Sequence, residues 1–297
     1  MPSDAIDDAV ARDAAIPDLD WATIPDGVAA TRFDAPSGSL ALIEAGEPDQ
    51  PLVLLVPGVT GSKEDFILMM PLLAGAGFHV VSYDMAGQYE SHEAGPERLL
   101  PPRKHYDHDL FVADMLAILD AYGAPAHVLG YSFAGSVAQI ALNKRPELFL
   151  SLTLLSSPPQ SGQGFRGVKR IGWFSGAVSA HRGAAFMIWG LHRNVTHVQP
   201  LRQKFVLDRL KLTRRTSVDD IIWLMKHKPN LDYELSAASI PKLVAVGEHD
   251  LWPTSIHREF ADAIGARIVV YATGHSPCET APNQLVRDML ELFAEAK

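Results

Sequence analysis

Short, almost wholly apolar runs recur along the chain and alternate with segments of helical periodicity. Four of these runs have the length and composition of strands that are buried on both faces of a parallel sheet: "PLVLLVPG" (51–58), "HVVSYDM" (79–85), "AHVLGY" (126–131) and "LSLTLLS" (150–156). Helices are predicted between them, at about 62–76, 105–122 and 133–144. This alternation predicts an α/β fold in which helices cover both faces of a mostly parallel sheet.

Two departures from the alternation divide the chain. Residues 29–45 are predicted to form two strands around the turn signal "PSG", and residues 1–28 a loosely ordered arm with Trp21 as a possible anchor. Residues 158–238 carry no clear strand and show helical spacing, after which strands and helices resume at 242–250, 254–263, 267–273 and about 278–295. We therefore predict an arm (1–28), a core (29–157 and 239–297) and a helical insertion (158–238) that caps the sheet's carboxyl edge.

Composition narrows the class of protein. The 297 residues are 47% hydrophobic and 21% charged, as in globular proteins, and the net charge of −9 argues against nucleic acid as a partner. A single cysteine, Cys278, excludes an intrachain disulfide and favours the cytoplasm. The acidic N-terminus lacks the features of a secretory signal, and no apolar run approaches 18 residues.

The charge is concentrated unevenly. Residues 160–215 contain eleven lysines and arginines but one acid, Asp208. Three interpretations stay open: a solvated helical face, contact with an anionic part of a substrate such as a CoA or carrier-protein phosphate, and association with a membrane surface. We favour the solvated face and expect no membrane contact.

Polar residues with catalytic potential follow three predicted strands. Ser132 comes after "AHVLGY", Asp250 ends "KLVAVGEHD" and His275 follows "RIVVYAT". Ligands bind beyond the carboxyl ends of the strands in an open parallel sheet, so these side chains can meet there. A serine nucleophile needs a base to take its proton, and an imidazole base needs a carboxylate to fix its tautomer.

Each of the three residues also has a structural interpretation. Ser132 could cap the following helix. Asp250 could be an exposed acid of a turn, in which case Glu248 would be the catalytic carboxylate. His275 could be an ordinary structural histidine. His257, the other histidine after Asp250, falls inside a predicted helix. We favour the catalytic interpretation because the three turns occur together, in the chain order Ser, Asp, His.

At these turns the sequence resembles the α/β-hydrolase family over roughly 29–297. "GYSFAG" is similar to the nucleophile elbow, "PGVTGSKEDF" to the oxyanion loop, "GEHDLWP" to the acid turn and "GHSP" to the histidine turn. "YDMAGQYES" also resembles a family segment. Three residues depart from the usual pattern: Ala134 replaces a glycine, Pro57 a histidine and Ala86 an arginine. The resemblance implies that Ser132 attacks a carbonyl, with Asp250 and His275 as its partners.

The same resemblance implies the rest of the site. The peptide N–H groups of Phe133 and Val59 are expected to form the oxyanion hole. Four aromatic residues of the helical insertion are expected to line an apolar acyl pocket: Trp173, Phe174, Phe186 and Trp189. The histidines of the insertion lack metal-ligand companions, and we expect neither a metal nor a cofactor.

The predicted function is hydrolysis of a carboxylic ester with a small or medium apolar acyl group, through an acyl-enzyme. A thioesterase or acyltransferase acting on CoA- or carrier-bound acyl groups would use the same triad. A cofactor-free oxygenase or perhydrolase and a non-catalytic ligand-binding protein are further alternatives. An aspartate at position 132 would have favoured a dehalogenase or an epoxide hydrolase, so serine counts against both. The sequence indicates no oligomeric state.

Overall fold

One eight-stranded sheet forms the centre of the protein. The computed structural model describes residues 2–123, 125–169, 178–195 and 197–296. Its strands are β1 (Val28–Ala35), β2 (Gly38–Ala45), β3 (Leu52–Val56), β4 (His79–Tyr83), β5 (Ala126–Tyr131), β6 (Phe149–Leu155), β7 (Lys242–Gly247) and β8 (Arg267–Tyr271). Every strand run predicted from the apolar pattern is present.

The strand order is β1-β2-β4-β3-β5-β6-β7-β8. The pairs β1–β2 and β2–β4 are antiparallel, and all other neighbours are parallel. In β3, Leu52, Leu54 and Val56 belong to one hydrophobic core, whereas Val53 and Leu55 belong to the other. Both faces of this strand are therefore buried, which explains why its sequence is apolar at every position.

The helices outside the insertion cover the two faces of the sheet. They are α1 (Pro2–Ala14), α2 (Met70–Gly75), α3 (His108–Ala121), α4 (Phe133–Lys144), α9 (Thr254–Ile264), α10 (Pro277–Thr280) and α11 (Pro282–Glu295). The continuous helix predicted at 62–76 is wrong: a 3₁₀ turn, Lys63–Phe66, precedes α2. The predicted last helix is divided at Ala281, whose backbone is not helical because a proline follows it.

The N-terminal arm is more ordered than its sequence predicts. Its helix α1 packs against α11, and the Asp13 carboxylate accepts hydrogen bonds from the backbone and side chains of Asn283 and Gln284. Trp21 is only 4% exposed and belongs to one of the two cores. The indole therefore anchors the segment, as expected.

Between β6 and β7 the described residues form helices α5 (Ala180–His192), α6 (Pro200–Leu212), α7 (Arg215–Met225) and α8 (Asp232–Ala237). The strand-like pairing in that described part is a single bridge between Gly162 and Lys228. The helical character predicted for the insertion is thus present in its described part. Its boundaries and its role as a cap stay predictions.

A buried group of charges ties α6 to the core; we call Ser62, Asp65, Arg202, Arg209 and Glu279 the arginine cluster. Asp65 Oδ1 lies 2.6 Å from Arg202 Nη2 and 2.5 Å from Arg209 Nη1. Arg202 also pairs with Glu279 at 2.6 Å, and Arg209 donates to Ser62 Oγ. Despite burial, the two guanidinium groups hold the pKa of Asp65 below its usual value. The insertion is therefore fixed to the segments before α2 and at α10.

Candidate active site

Ser132 lies on a strained turn between β5 and α4. Its φ of 53° and ψ of −119° are those of the first central residue in a type II′ turn, a position that favours glycine. The turn is held by the Ser132 N–H, which donates to the Leu155 carbonyl oxygen at 2.8 Å. Strain of this kind is retained where the surrounding structure requires it, and it directs the Ser132 side chain away from the strand.

Small residues surround this turn because larger ones would not fit. A Cβ at Gly58 would lie 2.9 Å from the Cβ of Ser132, and one at Gly130 would lie 2.6 Å from the Ala134 carbonyl oxygen. A Cβ at Gly135 would lie 1.8 Å from the Oγ of Ser157. The glycines of "LGYSFAG" and of "PGV" therefore permit the strand, helix and neighbouring loop to approach one another closely.

Gly135→Ala is expected to lower the free energy of unfolding by about 1–3 kcal/mol, because the added methyl group overpacks α4 against Ser157. Chemical denaturation measures the change. In a Ser157→Gly background, which removes the obstructing Cβ and Oγ, the same substitution should cost much less. An equal cost in both backgrounds would contradict the steric explanation.

The structure brings Ser132, Asp250 and His275 together. His275 Nε2 lies 3.3 Å from Ser132 Oγ, and His275 Nδ1 lies 2.5 Å from Asp250 Oδ1. The serine is 6% exposed and the aspartate 1%, whereas the imidazole is about one fifth exposed. A chain of hydrogen-bond contacts thus runs from a buried carboxylate, through an imidazole, to a hydroxyl.

The electrostatics of this chain keep Asp250 ionised. Burial opposes ionisation, but the imidazoles of His275 and His257 hold the pKa of the Asp250 carboxyl well below its usual range. Such a group stabilises the fold above the pKa it has in the unfolded chain, and this stabilisation is lost as the pH falls through the lower, folded value. At neutral pH the carboxylate is charged and accepts a hydrogen bond from the protonated Nδ1 of His275.

The loop after β3 lies against the serine. Thr60 has a φ of 58°, and its N–H donates to Gln88 Oε1 at 2.9 Å. Gln88 is fully buried and its Nε2 donates to Ser217 Oγ, in α7, at 2.6 Å. Among the described residues, the Val59 and Phe133 N–H groups donate no hydrogen bond to the protein. Both therefore have a donor free for a ligand.

Gln88→Leu is expected to lower kcat by about ten- to a hundredfold with little change in KM, because Thr60 loses the acceptor that holds this loop in place. Steady-state kinetics with an ester substrate measure the change. Gln139→Leu is the matched control, since Gln139 is a buried glutamine of α4. If both variants lose kcat equally, the effect comes from general destabilisation of the fold.

Of the four aromatic residues expected to line an acyl pocket, two belong to the described part of the insertion. Phe186 and Trp189 lie on α5, stacked on each other with ring centroids 5.6 Å apart, and are 57% and 50% exposed. Their role in an acyl pocket stays a prediction, and Trp173 and Phe174 lie outside the described residues. Cys278 is fully buried.

Asp84, which directly follows β4, is fully buried. Its carboxylate accepts a hydrogen bond from the backbone N–H of Lys63 at 2.7 Å and another from the Lys63 ammonium at 3.3 Å. Burial, partly offset by Lys63, raises its pKa to about 7. Asp84 thus fixes the start of the 3₁₀ turn that follows the loop after β3.

The described residues contain neither a group able to hold a metal ion nor a helix able to span a membrane. Within the described ranges, histidine, cysteine, aspartate and glutamate side chains form no group of three or more able to hold a metal ion. Nor does any helix in that part of the chain combine the length and apolarity needed to cross a membrane.

Three features of this region were not predicted. The first is the link from Gln88 to Thr60 and α7, although Gln88 lies in "YDMAGQYES", the segment noted for its resemblance to the family. The second is the arginine cluster, in which residues in contact are up to 147 positions apart along the chain. The third is the approach of His257 to Asp250. A helix beginning just after "DLWP" returns its first turn toward Asp250, and that was the available signal.

Comparison with known proteins identifies the family to which the fold belongs. A family model for the alpha/beta hydrolase fold matches residues 51–282, more than three quarters of the chain. The chain therefore belongs to the alpha/beta hydrolase fold family. The mostly parallel eight-stranded sheet confirms the predicted fold class.

Individual relatives are more distant. Epoxide hydrolase A of Mycobacterium tuberculosis is 31% identical over 120 residues, 40% of this chain and 35% of that protein. Rhodomycin D methylesterase of Streptomyces peucetius is 32% identical over 112 residues, 37% of this chain and 36% of that protein. These matches span about a third of each relative's length. The crystal structure of a hydrolase from Pseudomonas aeruginosa has a TM-score of 0.70 at 22% identity, covering 89% of this chain and 97% of that one.

Proposed function

We propose that this protein is a serine hydrolase that cleaves carboxylic esters. The observation that carries the proposal is the contact chain Asp250–His275–Ser132 at the carboxyl edge of the sheet. We further propose that residues 158–238 act as a lid over this edge. The cytoplasm stays the proposed compartment on the basis of cysteine usage.

The proposed reaction has two halves. In the first, His275 Nε2 takes the hydroxyl proton as Ser132 Oγ forms a bond to the ester carbonyl carbon, and the imidazolium then protonates the departing alcohol. In the second, His275 takes a proton from water, whose oxygen attacks the acyl-enzyme. The C–O bond to Ser132 breaks, the proton returns to Oγ, and the acid leaves. Asp250 stabilises the imidazolium in both halves.

The negative charge on the carbonyl oxygen needs donors that are already in place. The Phe133 N–H begins α4 and the Val59 N–H lies in the loop that contacts Ser132, and we assign both to the oxyanion hole. A donor in this position typically contributes a factor of about 10²–10³ in rate. The positive end of the helix macrodipole of α4 acts in the same direction.

An ester fits this site better than an epoxide, despite the similarity to an epoxide hydrolase. Attack by a serine oxygen on an epoxide carbon would leave an ether, which has no carbonyl carbon for water to attack. Attack on an ester leaves a second ester, which the same imidazole and oxyanion hole can hydrolyse. The similarity to a methylesterase agrees with this chemistry.

One observation favours a thioester or carrier-bound substrate as the second candidate. A cleft of about 620 Å³ lies between α5, α6 and α7, with apolar residues such as Ile188, Leu207 and Val218 in its lining. Lys204, Lys211 and Arg215 also line it, together with one acid, Asp208, which pairs with both lysines. A cationic and apolar cleft suits a substrate that carries both phosphate and an acyl chain.

A substrate panel of short and long esters, lactones, acyl-CoAs and terminal epoxides tests the proposal. We expect turnover of esters, with intact-mass detection of an acyl adduct that peptide mapping assigns to Ser132. Turnover of acyl-CoA alone, with strong inhibition by salt, would favour the second candidate. Turnover of epoxides without any acyl adduct would refute the serine hydrolase.

A further inference from the structure

Asp250 has two imidazole neighbours. Its Oδ1 faces His275 Nδ1 at 2.5 Å, and its Oδ2 lies 3.1 Å from His257 Nε2. Both His257 and Asp250 are 1% exposed. Water therefore has little access to Asp250 Oδ2, and His257 lies where a water molecule would otherwise contact that oxygen.

The chain around α9 explains why His257 is there. Pro253 precedes the helix, and the His257 N–H approaches the Pro253 carbonyl oxygen at 3.4 Å, so this residue closes the first turn. Trp252 is fully buried, and its Nε1 donates to the Gly164 carbonyl oxygen at 2.7 Å. The indole meets the ring of His257 edge-on, with ring centroids 6.2 Å apart. It lies tilted against the ring of His275, with ring centroids 6.0 Å apart. The indole thus packs against both imidazoles, and His257 Nε2 lies within hydrogen-bonding distance of Oδ2, although the two atoms are not aligned as a hydrogen bond in the structure.

The chemistry of the contact determines a tautomer. An ionised carboxylate only accepts hydrogen bonds, and a neutral imidazole carries one N–H. A proton on His257 Nε2 would be shared with Oδ2, whereas a lone pair there would face the carboxylate charge. The former is the favourable arrangement, since the pKa of Asp250 is held low against burial by both imidazoles.

The remaining charged groups near this pair face away or are bonded elsewhere. Arg258 and Glu259 follow His257 on α9 and are exposed, as is Glu248 at the end of β7. The Lys169 ammonium lies 3.4 Å from the Glu248 carbonyl oxygen. The electrostatic partner of His257 is therefore Asp250, and through it His275.

We propose that His257 is a positioning residue of the triad: its Nε2–H holds Oδ2 of Asp250, so that Oδ1 stays in line with His275 Nδ1. This rests on the proposed function, because it assigns His275 as the catalytic base. Without this donor, more of the carboxylate charge would act on the His275 imidazolium and stabilise it.

Nitrogen NMR of the unmodified protein, labelled with ¹⁵N-histidine, tests the tautomer without turnover. We expect His257 to carry its proton on Nε2 at neutral pH, and His275 on Nδ1. A proton on His257 Nδ1 alone would overturn the proposal, because Nε2 would then have nothing to donate.

Two substitutions test the consequence. His257→Phe keeps the ring packed against Trp252 but removes the donor; we expect kcat for an ester to fall about tenfold with KM within about twofold, and the acid limb of kcat/KM to move up by about half a pH unit. His257→Gln keeps an N–H near the Nε2 position and should restore kcat to within about threefold. His127→Phe is the matched control, since His127 is a buried histidine stacked on Phe293.

Loss of stability in both phenylalanine variants, with an unchanged acid limb in His257→Phe, would show a merely structural role and overturn the proposal. If the protein hydrolyses no ester, the proposed function fails, but the NMR titration of His275 still decides whether His257 positions the carboxylate of Asp250. The proposal is supported if His275 titrates at a higher pH in His257→Phe than in the unmodified protein. If His257→Phe does not fold, it is supported when His275 titrates in His257→Gln as in the unmodified protein and His257 of the unmodified protein carries its proton on Nε2. Unchanged titration in His257→Phe overturns it.

Discussion

Ser132→Ala should reduce kcat/KM for ester hydrolysis by about 10⁴–10⁶-fold, because no other hydroxyl is in contact with His275 Nε2 among the described residues. The protein should stay folded, since the hydroxyl is not part of the hydrophobic core. Single-turnover kinetics and labelling with a fluorophosphonate measure the loss. The residual rate reports what the oxyanion hole and substrate binding contribute without a nucleophile.

Two further variants make this result specific. Ser136→Ala removes a buried hydroxyl one turn further along α4 and should leave kcat/KM and labelling unchanged. Ser132→Gly removes the nucleophile and also relieves the positive φ of 53°, so it should abolish activity without lowering the unfolding midpoint. Hydrolysis that persists in both Ser132 variants would assign the reaction to another residue.

Asp65→Ala should lower the free energy of unfolding by about 3–5 kcal/mol, because it leaves the buried guanidinium groups of Arg202 and Arg209 without their shared carboxylate. Glu279 can compensate for Arg202 but does not contact Arg209. Denaturant unfolding followed by circular dichroism measures the loss. Activity should fall too, since Asp65 lies in the segment that continues the loop carrying Val59, which we propose to be part of the oxyanion hole.

Glu147→Ala is the control for this prediction. Glu147 pairs with Arg145 on the surface, where solvent screens the interaction, and its loss should change the midpoint little. The comparison separates a buried charge cluster from an exposed ion pair. Equal midpoints for Asp65→Ala and Glu147→Ala would mean that the arginine cluster does not stabilise the fold.

The fold was predictable because its signals are local. Parallel strands buried on both faces have apolar sequences such as "LVLLV", and their carboxyl ends meet at one edge whatever the intervening helices do. That is why Ser132, Asp250 and His275 could be placed together from three short turns. The break at 67–69 had a local signal that the prediction missed: Pro71 would lie in the interior of a helix that began at 62, where it lacks the N–H for a hydrogen bond, whereas it is tolerated in the first turn of α2.

Contacts between distant parts of the chain were beyond such patterns. Arg202 and Arg209 are typical solvated residues of a basic helix in sequence, and only the approach of α6 to Asp65 and Glu279 buries them. His257 was set aside because a helical position suggested a structural role. In the fold, that helix begins so close to Asp250 that its first turn reaches the carboxylate.

The arginine cluster also bears on how freely the insertion can be exchanged between related enzymes. Excising it would remove both arginines and leave Asp65 and Glu279 as neighbouring acids beside the loops that carry Val59 and His275. A grafted replacement would have to supply cations at the same two places, or the host would need neutral residues at 65 and 279. The insertion and the loops that carry Val59 and His275 therefore depend on each other, and exchanging the one requires redesign of the other.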